Sequence, residues 1–174
     1  MALTSTLTAA AVALRYAKTA LTAVQFINIP LAVAYTAAEL ASPLTGAAVA
    51  AMSYLVSDLL IMPGPWTPVD AALGGAAALA FGLAARRLGG GVELFVAAYL
   101  ATLFYDVSSS ALLYMFFGLS PLDALAVGVA GLFLPVMGGG LVGVGPITEA
   151  ATAALAAGLV EALRRRGVVY EGVR

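Results

Sequence analysis

The chain has 174 residues, of which 63% are hydrophobic and 10% charged, with a mean hydropathy of +1.04; soluble domains are roughly 45–50% apolar and about 25% charged, so this is the composition of an integral membrane protein. A net charge of −1 offers no electrostatic footprint for nucleic acid. With neither cysteine nor histidine, the chain excludes disulfides, His/Cys metal sites, thiol nucleophiles and histidine bases, leaving carboxylate, arginine, hydroxyl and aromatic chemistry.

The length accommodates about six helices of roughly 20 residues with short connections, and so a single transmembrane domain over residues 1–174. A membrane barrel needs alternating polarity in segments of about ten residues, whereas Ala and Leu here run continuously. The first helix is expected over residues 3–24. No basic residue precedes its apolar run, and Arg15 and Lys18 follow it, so it reads as a retained helix rather than a cleaved signal. A short second helix is expected over 28–41, opened by Asn28 and Pro30 and stopped by Ser42 and Pro43. The third spans 44–61 and stops at Pro63, Gly64 and Pro65; the fourth spans 67–88 and closes at Arg86, Arg87 and the glycines 89–91. The fifth covers 92–117 and the last 146–165. Between these two lies a glycine-rich apolar stretch, 120–145, interrupted by Pro135.

Arginine placement chooses between six spans and seven. Arg86 with Arg87, and Arg164 to Arg166, both belong on the cytoplasmic side, so an even number of crossings separates them. Segment 120–145 is therefore expected to turn back on the outer side. The expected fold is an all-α integral membrane protein of the plasma membrane: a six-transmembrane-helix bundle with an outer re-entrant or capping segment between helices five and six, and both termini cytoplasmic. Arg15 and Lys18 oppose this rule from the outer half of helix one, and must snorkel, pair with an acid or face a wet cavity.

Several stretches in this order resemble the substrate-binding S components of energy-coupling factor (ECF) vitamin transporters. They are Val24 to Pro30; Ser57 to Asp70, with Ser-Asp-Leu-Leu and Pro-Trp-Thr; Phe104, Tyr105 and Asp106 with Phe117 and Gly118; and Gly145 to Thr148. The resemblance implies a subunit that captures a vitamin or related micronutrient without bond chemistry. Its partners would be a membrane coupling subunit and two cytoplasmic ATPase subunits, docked through a small-residue ridge on helix one that Ala9, Ala13 and Ala17 match at four-residue spacing. Metal-ion S components use an amino-terminal histidine motif, absent here, so no metal site is expected. No cofactor is expected either; the glycine runs lack the Lys-Ser/Thr of a phosphate loop.

The candidate ligand-binding residues are Gln25, Asn28, Tyr54, Asp58, Trp66, Asp70, Asp106, Tyr114 and Glu149. Asp58 and Asp70 flank the stiff turn between helices three and four, where they suit a cationic or hydrogen-bond-donating ligand; equally, Asp58 suits a pair with Arg15 or Lys18, and Asp70 the positive end of a helix. Asp106 falls mid-span before Ser108, Ser109 and Ser110 and should face the interior. Trp66 suits a lid or an interfacial anchor, and Tyr54, Tyr105 and Tyr114 a pocket wall or plain packing. Gln25 and Asn28 are amides at a helix break that must find partners. Glu149 lies one turn inside the last helix, and Glu39 near the inner end of the second. Acids with aromatics suit a cationic ring such as thiamin's, while Arg15 and Lys18 suit an anionic vitamin. Two other classes fit the composition: an intramembrane enzyme using these carboxylates on a lipid or prenyl substrate, and a structural assembly subunit.

Overall fold

The computed structural model describes residues 2–21, 26–136 and 140–167. Seven helices occur among them: α1 (Ala2–Leu21), α2 (Ile29–Leu40), α3 (Pro43–Ile61), α4 (Trp66–Ala85), α5 (Gly91–Phe116), α6 (Pro121–Ala130) and α7 (Val144–Arg165). Between α6 and α7 a small antiparallel ribbon, β1 (Leu134–Val136) and β2 (Gly140–Val142), pairs Leu134 with Val142 and Val136 with Gly140. This ribbon departs from the purely helical expectation.

Helices α3, α4, α5 and α7 are long and apolar enough to cross a membrane, the architecture of a multi-pass helical membrane protein. Helix α1 has 20 residues but carries threonines, Arg15 and Lys18 and does not reach the same hydropathy. Helix α2, with 12 residues, reaches about 18 Å, and α6, with 10, about 15 Å, against a hydrocarbon core of about 30 Å. Four helices therefore qualify as spans on their own, where the sequence suggested six.

The short α2 forms the centre of the bundle. Pro30 to Ala38 are buried without a break, so no face of the helix meets lipid, and it packs against α1, α3, α4 and α7. Small side chains permit this closeness: a Cβ on Gly46 of α3 would collide with Ala34 and Ala38 of α2, and one on Gly82 of α4 with Ala38. Caps fix the starts of the short elements. Asn28 accepts from the Leu31 N–H at 3.3 Å, Ser42 from Thr45 at 3.0 Å and Ser120 from Asp123 at 3.3 Å, each with proline in the first turn.

Helix α5 packs between α4 and α7, and α6 folds back along its second half. Gly128 allows that approach, since a Cβ there would already lie 3.3 Å from the Val107 carbonyl. The Gly145 N–H then donates to the Leu132 carbonyl at 2.9 Å, tying the segment to the start of α7. Segment 120–145 thus begins as a helix too short to cross and doubles back. Helix α1 attaches by one side, burying Ala11 and Val12; Ala9, Ala13 and Ala17 lie on its exposed side.

Both arginine clusters sit at the same end of the bundle. Arg164 pairs with Glu39 at the end of α2 and lies beside Gly90 in the α4–α5 turn, so the ends of α2, α4 and α7 meet there. The α3–α4 turn, the start of α2 and the α6–ribbon segment lie at the other end.

Candidate functional site

A cavity of about 350 Å³ opens at that other end, within the range of small-molecule sites. Six helices contribute to its wall. Arg15 and Lys18 come from α1, Asn28 from the start of α2, Tyr54 from α3, Asp70 from α4, Tyr105, Asp106, Ser109 and Ser110 from α5, and Thr148 from α7. Gly131 and Leu132, at the end of α6, close one side.

Asn28 organises the mouth. Its side-chain oxygen caps α2 and also accepts the Tyr54 hydroxyl at 2.8 Å, while its backbone N–H donates to the Thr152 hydroxyl at 2.8 Å. One amide residue therefore joins α2, α3 and α7. The Tyr54 ring stacks on Tyr105 with centroids 5.2 Å apart and planes 20° apart, and the Arg15 guanidinium lies 5.1 Å from the Tyr54 centroid. Room for the ring comes from Gly74 of α4, where a Cβ would fall 2.5 Å from Tyr54.

Arg15 meets Asp58 at 2.7 Å and donates to the Ser57 hydroxyl, which itself donates to the Ser53 carbonyl at 2.6 Å. Asp58 is 3% exposed, so this ion pair lies inside the protein, with the guanidinium turned toward the cavity and the carboxylate behind the wall. Of the alternatives the sequence left open, Asp58 thus takes the pair with Arg15. The acids follow one another around the site: Asp58 acts electrostatically on Asp70, and both Asp70 and Glu149 act on Asp106. The Glu149 carboxylate is fully buried. Neither of its oxygens accepts a hydrogen bond among the described residues, although Tyr99 faces it.

Of the residues singled out from sequence, Asn28, Tyr54, Asp70 and Asp106 line the cavity together. Asp58 and Glu149 stand behind its wall. Trp66 does not reach it: the indole N–H donates to the Met62 carbonyl at 3.1 Å and the ring lies over Gly64 of its own turn. Tyr114, 37% exposed, is also absent from the lining. Gln25 lies outside the described residues. Arg15 and Lys18, for which the sequence left a wet cavity among the options, and Thr148, within one of the stretches that carry the resemblance, also line the wall; the costly position of two cations in an outer half-helix was the signal. Among the described residues, no three acidic side chains converge as a metal ion would require. The arrangement can bind and orient a small polar molecule, with carboxylates and hydroxyls on α4 and α5 and cations on α1.

Comparison with protein-family models, curated proteins and solved structures gives no significant match.

Proposed function

We propose that the chain is the substrate-capture subunit of an ECF-type transporter that imports a vitamin or related micronutrient. The observation that carries this reading is the polar cavity at one end of an apolar bundle, where Asn28, Tyr54, Asp70 and Asp106 converge beneath the fold-back segment. Polar groups inside a membrane bundle are expensive, and a wall of several on different helices is how such a bundle recognises a small solute. In the proposed topology the arginine end is cytoplasmic, six helices including the less apolar α1 and the short α2 cross or line the membrane, and segment 120–145 caps the outer end. Both termini would then be cytoplasmic and the membrane the plasma membrane.

The subunit would carry out no bond chemistry. ATP hydrolysis would fall to two cytoplasmic ATPase subunits acting through a membrane coupling subunit. The exposed Ala9, Ala13 and Ala17 on α1 suit a close helix contact with that subunit.

Native mass spectrometry of the detergent-purified protein tests the reading, with denaturing extraction to identify any bound molecule. The expected result is one vitamin-sized ligand per chain, lost from Tyr54→Ala and Asp106→Asn. A spectrum that stays ligand-free after incubation with a vitamin panel would move the function to an intramembrane enzyme or an assembly subunit.

A further inference from the structure

The charge around the cavity is unbalanced. Asp58, Asp70, Asp106 and Glu149 surround it, against Arg15 and Lys18. Counted with every acid ionised, two carboxylates exceed these two cations however they are shared. Among the described residues no other cation is at hand: Arg86, Arg87 and Arg164 to Arg166 lie at the far end of the bundle, and Arg174 is not among them. Asp58 consumes Arg15 at 2.7 Å, so the formal excess falls on the side of Asp70, Asp106 and Glu149.

Glu149 marks this excess independently of the lining. It is completely buried, with the Tyr99 hydroxyl beside it but neither oxygen in a hydrogen bond of good geometry among the described residues, and it acts electrostatically on the cavity acid Asp106. A buried carboxylate with so little hydrogen bonding is costly unless it takes up a proton or a positive charge comes close. The space available is too large for a bare ion, and among the described residues no three acidic side chains converge to coordinate one. The paired tyrosine rings supply an apolar and π-rich side; Tyr54 already holds one cation, the Arg15 guanidinium, against its ring.

We infer that the cavity selects an organic cation, a small molecule whose protonated or quaternary nitrogen is held between Asp70 and Asp106 with Glu149 behind them. This rests on the capture reading and narrows its ligand to one charge class.

A charge series on one ring tests it: benzylammonium, benzyl alcohol and benzoate, titrated at neutral pH against the full-length protein in phosphatidylcholine nanodiscs, with empty discs subtracted. Benzylammonium should bind at least tenfold more tightly than benzyl alcohol, and benzoate most weakly. Asp106→Asn, a near-isosteric change, should abolish that preference; Asp70→Asn, on a different helix, should reduce it. Equal affinity for benzylammonium and benzyl alcohol, tightest binding of benzoate, or a cation preference indifferent to both variants would overturn the inference while leaving a ligand-capturing cavity in place. Failure of all three probes to bind at millimolar concentration would also overturn the inference, the capture reading then standing or falling with the vitamin panel.

Discussion

At the scale of single residues, Arg15 and Asp58 show how a membrane bundle tolerates charge. Asp58 is 3% exposed and Arg15 16%, so the pair sits in a low-dielectric interior where either partner alone would be stranded. Arg15→Met should therefore destabilise the protein by about 3–5 kcal/mol, read as a lower thermal midpoint in detergent. The double variant Arg15→Met with Asp58→Asn should recover most of that loss. A midpoint for Arg15→Met equal to that of the unsubstituted protein, or no recovery in the double variant, would show that the pair has no structural role. The sequence made this pairing legible as one of several alternatives, because a cation in the outer half of α1 must snorkel, pair with an acid or face a wet cavity. It did not make Trp66 or Tyr114 legible as non-lining. In a helix that is apolar on all sides, spacing does not say which side faces the interior, so an aromatic's rotation about the axis goes unread.

At the scale of elements, glycine positions decide which helices touch. On α4, neighbouring glycines have opposite surroundings: a Cβ at Gly74 would fall 2.5 Å from the Tyr54 ring, whereas one at Gly75 would meet the Ala47 carbonyl at 3.4 Å and the Ala51 methyl at 3.6 Å. Gly74→Ala must displace the ring from its place between the Tyr105 stack and the Asn28 hydrogen bond, at a cost of about 1–3 kcal/mol. Gly75→Ala fills ordinary space and should be neutral or stabilising by up to about 1 kcal/mol through reduced chain entropy. Parallel thermal scans of the two variants check this, and equal effects would sink the account. Helix boundaries were largely readable, since Asn28 and Ser42 cap where a polar side chain precedes a first-turn proline, and Pro63, Gly64 and Pro65 end α3; the helix that Ser120 caps was not among those expected. The fold-back of segment 120–145 was readable only indirectly, from the arginines on either side of it. Its ribbon was not readable at all, because two strands of three residues are too short to display an alternating pattern.

At the scale of the molecule, the arginine clusters and the cavity occupy opposite ends, and that polarity can be read without labels intrinsic to the chain, which has no cysteine. A single cysteine introduced as Pro63→Cys, in the turn at the cavity end, should react with an impermeant maleimide on intact cells. Leu88→Cys, in the α4–α5 turn beside the arginines, should react only after permeabilisation. The reverse pattern would invert the proposed topology and place the cavity in the cytoplasm. With the arginine end inside, the same separation of charge has an energetic meaning for whatever the cavity holds. An energised plasma membrane is negative inside, and each positive charge moved inward across it gains about 2.3 kcal/mol per 100 mV. A cargo chosen by an excess of carboxylates at the positive face would travel down the membrane potential, so the direction of import would be favoured by the field before any ATP is spent.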